Sequence, residues 1–503
     1  MEQPQIHWTA LAVFAFFFVL VTVMGFWASR WQTGGKNSEQ HLDEWGLGGR
    51  KFGTWITWFL VGGDFYTAYT VIAVPALVYA VGAYGFFALP YTILVYPIVF
   101  VLMPKLWKEA HKHGHVTAGD VVWGRYKSRP LELMVALTGV VATMPYIALQ
   151  LVGMEVVIKA LGLTGEIPLA AAFIILALYT YSAGLRAPAL IAFVKDLMIY
   201  IVVLVAVVLV PIKLGGYDNV FTLAREAYAA KPKPPASGVI LQGSQFLPYA
   251  TLALGSALAA FMYPHTLTGI FAAKSANTIR KNAIFLPAYT VLLGLIALLG
   301  YMAYAAQIKV ETNNDVVPAL FNSLFPQWFV GFAFAAIAIG ALVPAAVMSI
   351  GASNLFTRNF WKAYVNPQVT PAGEAKVAKI VSLLVKVGAL VVIVFLPTKF
   401  ALDLQLLGGV WIIQTLPSMA FGLWTRWFRA PALLTGMITG LAIGTYLAIS
   451  DGVKPVHTLT FGDTGYTVYT GLLALAINIV VVLVVQAIHN LVSKPQPLPA
   501  SAD

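Results

Sequence analysis

Apolar stretches of membrane-crossing length recur along the whole of this 503-residue sequence. A helix needs about 20 apolar residues to cross the hydrocarbon core of a bilayer. In lipid, every backbone donor and acceptor must be satisfied within the protein. The chain is therefore expected to be an all-α polytopic membrane protein. Thirteen candidate spans run over roughly 8–29, 53–80, 84–104, 131–160, 167–185, 190–212, 246–272, 283–306, 327–356, 378–397, 401–424, 431–450 and 467–491. Charged residues are only 10% of the chain, against about 25% in soluble domains, and mean hydropathy is +0.81. Pro75, Pro145 and Pro264 fall inside spans and predict local kinks or breaks.

The net charge of +11 would suggest nucleic acid in a soluble protein. Here the basic residues fit the positive-inside rule instead, so no nucleic-acid partner is expected. With the N-terminus outside, the inner loops collect Arg50, Lys51, Lys105, Lys108, Lys112, Arg125, Lys127, Arg129, Lys274, Arg280, Lys281, Arg358, Lys362, Arg426 and Arg429, among others. The outer loops hold far fewer, such as Lys159, Lys213, Lys309 and Lys454. The bias exceeds two to one and predicts an external N-terminus and a cytoplasmic C-terminus. The absence of cysteine excludes disulfides, thiolate metal sites and a cysteine nucleophile. The apolar stretch starting at Trp8 is too long for a signal peptide and lacks a basic start. The outer loop 213–245 contains Lys-Pro-Lys-Pro-Pro235 and reads as an extended linker preceded by a short helix. Residues 495–503 read as a disordered tail.

Four polar clusters inside spans stand out. In Phe59-Leu-Val-Gly-Gly-Asp-Phe-Tyr-Thr-Ala-Tyr-Thr70, Asp64 is a carboxylate at membrane depth, where charge is costly and normally faces a cavity or a partner. Gly62 and Gly63 weaken the helix before it and free carbonyls that serve as cation ligands. A kink capped by Asp64 is the plainer alternative. Pro344-Ala-Ala-Val-Met-Ser-Ile-Gly-Ala-Ser-Asn354 offers the Ser349 hydroxyl to a hard cation, or simply small residues for close packing. In Phe261-Met-Tyr-Pro-His-Thr266, His265 is a titratable group beside a break, either a proton carrier or structural. In Pro145-Tyr-Ile-Ala-Leu-Gln150, Tyr146 and Gln150 are i,i+4 neighbours that reach one cavity or pack in the core. Lys195-Asp196 reads first as an interfacial structural pair. Walker, GxSxG, HExxH and Rossmann patterns are missing in any usable context, so neither enzymatic catalysis nor ATP drive is expected.

Several segments resemble the sodium:solute symporter family: Gly48-Gly-Arg-Lys-Phe-Gly53 with the glycine-rich span ending near Pro75, Gly184-Leu-Arg-Ala187, Tyr263-Pro-His265, Ala345-Ala-Val-Met-Ser349, Asn354-Leu-Phe-Thr-Arg-Asn359, and Trp424-Thr-Arg426 through Gly440. Within the family, Phe193-Val-Lys-Asp196 and Met348 through Asn359 look most like bacterial monocarboxylate permeases of the lactate/pyruvate type. The resemblance implies a leucine-transporter-type inverted-repeat fold in a single transporter domain, 1–494. Residues 53–212 would form the first repeat and 246–424 the second, with 8–29 and 431–491 outside them. It implies sodium ligands at the carbonyls of Gly63, Tyr66 and Ala346 and the hydroxyl of Ser349. The family's remaining hydroxyl ligand falls on Ile350, a departure that would weaken sodium binding or shift coupling to protons through Asp64 or His265. The substrate cavity would be lined by Thr67, Tyr69, Tyr146, Gln150, Ser256 and Tyr263, with Trp411 and Gln414 further out.

The expectation is a symporter in a bacterial plasma membrane that couples sodium (or proton) influx to uptake of a small monocarboxylate such as lactate, pyruvate or acetate. Its partners would be the organic anion and the lipid bilayer, with room for a small membrane accessory subunit. No organic cofactor is expected. The rivals are a symporter for another solute (amino acid, sugar or pantothenate), a transporter-like membrane sensor, and a channel.

Overall fold

A computed structural model describes residues 6–31, 41–63, 67–163, 167–231, 237–395 and 401–492. Helix α1 (Trp8–Trp27) is followed by the short α2 (Leu42–Leu47). In the next span α3 (Thr54–Thr57) runs through a π turn to Gly62, and a second π turn from Tyr69 leads into α4 (Val74–Val81). Then come α5 (Ala88–His113), α6 (Ala118–Tyr126), α7 (Arg129–Ala160), α8 (Ile167–Ala183), α9 (Arg186–Lys213) and α10 (Tyr217–Ala229). A broken span follows, α11 (Phe246–Ala260) and α12 (Pro264–Ala272), bent by 49°. The chain continues through α13 (Ala276–Phe285), α14 (Pro287–Ala305), α15 (Val316–Leu324), α16 (Gln327–Phe356), α17 (Pro371–Phe395), α18 (Ala401–Ile412), α19 (Leu416–Ala420), α20 (Ala430–Ser450) and α21 (Thr470–Val492). Among the described residues, 9 helices are long and apolar enough to cross a membrane, or 10 with the bent pair counted as one span.

Helix α16 is the centre of the bundle. It is buried along nearly its whole length and packs on α1, α7, α9, α12 and α17. Alanine and glycine dominate its surface, which lets neighbouring backbones approach closely where lipid provides no hydrophobic drive. Helices α20 and α21 pair with each other and rest on α18, with their outer faces exposed.

The molecule departs from the expected pattern in instructive ways. The fold is nearly, not wholly, helical: strands β1 (Val456–Phe461) and β2 (Thr464–Tyr469) form a hairpin. Its two-residue turn opens on Gly462 at φ +58°, where glycine tolerates the left-handed backbone that a tight hairpin needs. A hydropathy reading passes over it because the strands alternate polar and apolar residues. Helix α5 runs past the expected end at 104 to His113. Its last turns, Lys-Leu-Trp-Lys-Glu-Ala-His-Lys-His, are polar yet contain good helix formers, and Gly114 ends the helix at φ +67°. Pro145 lies inside a continuous α7, whereas Pro264 does mark a break.

Candidate functional site

The candidate site lies where the 246–272 span breaks at Pro264 and where described helix of the 54–81 span stops at Gly63 and resumes at Ala68. In a half-helix the last carbonyls and first amides lack intrahelical partners. They carry partial charges of opposite sign at the two ends. Described helix of the 54–81 span reaches Gly63 and resumes at Ala68, after a bend at Thr67; Asp64 and Tyr66 fall between them, outside the described residues.

At the carbonyl end stands a buried cation. The Lys195 ammonium on α9 donates to the Gly63 carbonyl and lies 2.9 Å from Asp196 Oδ1. The Tyr289 hydroxyl on α14 donates to Asp196 Oδ2 at 2.7 Å. Lys195 and Asp196 are both 0% exposed. The pair is thus not interfacial, as its sequence suggests, but fully enclosed. Isolated charges at such a place cost far more than paired and hydrogen-bonded ones. The glycine pair is what admits them. A Cβ on Gly63 would come within 2.7 Å of Asp196 Oδ2, and one on Gly62 would overlap the Tyr289 ring.

At the amide end, the second half is capped by side chains. Tyr69 N–H donates to Thr67 Oγ1 at 3.0 Å, and Ala68 N–H donates to Gln150 Oε1 at 3.1 Å. Gln150 Nε2 reaches the Tyr146 carbonyl one turn earlier on α7. Tyr146, Tyr263 and His265 form a ring cluster with centroid separations of 5.2–5.4 Å. Tyr263 is extended at the break before Pro264, and its hydroxyl donates to the Gln405 carbonyl at 3.0 Å. The buried hydroxyls of Tyr69 and Ser256 have no hydrogen-bond partner among the described residues.

Thr67, Gln150, Tyr146, Tyr263 and His265 are linked by these bonds and ring contacts, whereas Trp411 and Gln414 turn elsewhere. Trp411 Nε1 donates to Thr445 Oγ1 on α20 at 2.9 Å. Gln414 donates to Gly471 O and accepts from Asn478 Nδ2 at 3.1 Å, both on α21. Ser349 and Ala346 are both buried on α16, and the Ser349 hydroxyl donates to the Ala346 carbonyl at 2.8 Å. Ile350 is 0% exposed, and its carbonyl accepts from Ser353 Oγ.

A second polar centre ties α6, α7 and α17 to the π-helical turn Thr357–Val365 that extends α16. Asn359 Nδ2 donates to Asp120 Oδ1 and to Glu132 Oε1, each at 2.9 Å, and Asn359 Oδ1 accepts from the Thr117 hydroxyl at 2.6 Å. Arg358 bridges Asp120 and Glu374, and Lys362 reaches Glu374 at 2.7 Å. The segment Asn354–Asn359 stands out in the sequence, but its acidic partners are scattered along the chain and carry no local signal.

The comparisons with known proteins agree with this architecture. The model of the sodium:solute symporter family matches residues 45–440. A Rhizobium johnstonii (strain DSM 114642 / LMG 32736 / 3841) protein named monocarboxylate transport permease protein is 72% identical over 484 residues, covering 96% of this chain and 98% of its own. The uncharacterized symporter YodF of Bacillus subtilis (strain 168) is 34% identical over 483 residues, covering 95% and 92%. Among solved structures, a Na+-coupled sialic acid symporter in a substrate-bound outward-open state matches with a TM-score of 0.76 at 14% identity, covering 97% of this chain and 98% of that one. At that identity the likeness establishes the shared fold.

Proposed function

This chain belongs to the sodium:solute symporter family, and on that premise we propose that it couples sodium influx to the uptake of a small monocarboxylate such as lactate, pyruvate or acetate. The observations that carry the reading are the helix break at Tyr263–Pro264 and the side-chain capping of the Ala68 and Tyr69 amides where described helix resumes after Gly63. The half-helix starting at Ala68 and the one starting at Pro264 present N-terminal, positive ends, which favour a carboxylate. Thr67, Tyr69, Tyr146, Gln150, Ser256 and Tyr263 supply hydroxyls, an amide and aromatic faces, but no carboxylate that would repel an anion. The Ser256 and Tyr69 hydroxyls, without hydrogen-bond partners among the described residues, are donors available to substrate oxygens. The 72% identical relative named as a monocarboxylate permease supports the substrate class. Inhibition of labelled lactate uptake by unlabelled pyruvate and acetate, but not by amino acids, sugars or pantothenate, is the test.

Sodium would bind through the carbonyls of Gly63, Tyr66 and Ala346 and the hydroxyl of Ser349. Ile350 brings no side-chain oxygen, and the Gly63 carbonyl already accepts from Lys195. A carbonyl has two lone pairs, but an ammonium and a sodium ion sharing one oxygen would lie about 4 Å apart. At an effective dielectric constant of about 20 their repulsion is on the order of 4 kcal/mol. Sodium binding at Gly63 therefore goes with withdrawal of Lys195 toward Asp196, which makes the lysine an internal competitor of the ion. This same competition favours proton coupling through Asp64 or His265 as the second reading.

The thirteen-span count, the inverted repeats 53–212 and 246–424, and the external N-terminus with cytoplasmic C-terminus in a bacterial plasma membrane complete the proposal. The repeat assignment draws support from the broken span 246–272 that opens the second half. A small membrane accessory subunit belongs to the same proposal as a partner.

A further inference from the structure

Away from the helix breaks, a cavity of about 400 Å³ opens between the end of α5, α6 and the segment after α19. Its lining carries four cationic side chains, Lys105, Lys108, Arg125 and Arg426, and one carboxylate, Glu109. The Arg125 guanidinium is held in place by donation to the Thr425 carbonyl at 3.1 Å. The Lys105 ammonium sits 4.4 Å from the centroid of the Trp424 ring, a contact that places the cation while leaving its N–H donors available. The floor is polar as well: Ser418 is 3% exposed, lines the cavity, and its hydroxyl has no hydrogen-bond partner among the described residues. A buried hydroxyl without a partner is costly and fits a site whose missing partner is an anionic oxygen.

Helix α5 says where such an anion would come from. Leu94, Pro97, Val101, Lys105 and Lys108 are spaced i, i+3, i+7, i+11 and i+14, along one helix face. All five are exposed, Leu94 at 39% and Val101 at 53%. The face is apolar along the membrane-crossing part and turns cationic where it enters the cavity. Exposed Trp424 lines the cavity against Lys105, as aromatic residues do at a bilayer boundary. A soluble anion would use the cavity alone, whereas an anionic lipid matches both the charge of the cavity and the apolar strip leading to it.

We propose that this cavity binds the phosphate of an anionic glycerophospholipid, whose acyl chain lies along Leu94, Pro97 and Val101. Basic pockets between transmembrane helices hold lipid headgroups in this manner. The full chain, extracted with a mild detergent from vesicles of mixed phosphatidylglycerol and phosphatidylcholine, should retain phosphatidylglycerol preferentially in native mass spectrometry. K105Q/K108Q should lower that preference by about tenfold or more, and K105R/K108R should keep it. The single exposed-site variant K108Q, checked for monodispersity, serves if the double variant does not fold, and should show a smaller loss of the same sign. Equal retention of both lipids by wild type, or an unchanged preference in the glutamine variants, overturns the proposal. Displacement of the lipid by millimolar inorganic phosphate, with phosphate itself retained, also overturns it and identifies a soluble-anion site.

Discussion

The Lys195 ammonium donates to the carbonyl of Gly63, so a lysine of α9 occupies the negative end of the half-helix that reaches Gly63. Asp196, its neighbour in sequence, holds the same ammonium at 2.9 Å. This relationship joins the end of that half-helix, the enclosed ion pair and the Gly63 carbonyl into one unit. It also means that the cation requirement of that helix end is met from within the protein before any ion arrives.

If sodium and Lys195 compete for Gly63, removing the ammonium should tighten sodium binding. Lys195→Gln is expected to lower the sodium concentration for half-maximal uptake by about tenfold, a modest part of the Coulomb repulsion relieved. Uptake measured against sodium concentration in proteoliposomes checks it; an unchanged or raised requirement in a well-folded variant argues that the two cations never share the carbonyl.

The ion pair should be cooperative. Lys195→Met leaves Asp196 enclosed with only Tyr289 as partner among the described contacts, and breaking a buried pair costs about 3–5 kcal/mol. The double variant K195M/D196N removes both charges, and the amide introduced at position 196 would keep an acceptor oxygen for the Tyr289 hydroxyl. It should therefore be more stable than K195M alone in thermal unfolding. Additive losses would show that the two residues act independently.

Asn359 should be intolerant of charge. It donates to both Asp120 and Glu132, and Asn359→Asp would place a third carboxylate among them while removing two donors to charged groups. At about 1.5–3 kcal/mol per bond of this kind, the two lost bonds alone cost on the order of 3–6 kcal/mol, and the added charge increases the loss. Asn359→Ala should lose less than Asn359→Asp, because it adds no charge. The comparison is read from the unfolding midpoints of the two variants.

Much of this is legible in the residues and some of it is not. Membrane spans announce themselves because lipid demands uninterrupted apolar helix, and Pro264 announces a break because it lacks an N–H. Lys195-Asp196 does not announce its burial. Adjacent opposite charges read the same at an interface as in a core, and the partner that distinguishes them, Tyr289, lies 93 positions away in the chain. Resemblance puts Trp411 and Gln414 toward the cavity, but which face of α18 meets α20 and α21 is decided by packing. The hairpin at 456–469 escapes because its alternation averages to a weak hydropathy. Asp64 and Tyr66 lie outside the described residues, so their part in the site rests on the resemblance.

Ser349→Ala should raise the sodium concentration needed for half-maximal uptake. One neutral ligand bond contributes on the order of 1 kcal/mol, or several-fold in affinity. A well-folded variant with unchanged sodium dependence would remove Ser349 from the ion site.

The central claim is sodium-driven uptake of a monocarboxylate, and imposed gradients in proteoliposomes test it most directly. Labelled lactate uptake is measured with an inward sodium gradient at equal pH, and separately with an inward proton gradient in sodium-free buffer. Ile350→Ser, which restores a hydroxyl beside Ser349, is run in parallel. Sodium coupling predicts that the sodium gradient drives accumulation in the wild type and that I350S reaches half-maximal uptake at a lower sodium concentration. Accumulation driven by the proton gradient alone, unaltered when sodium is added, would contradict it.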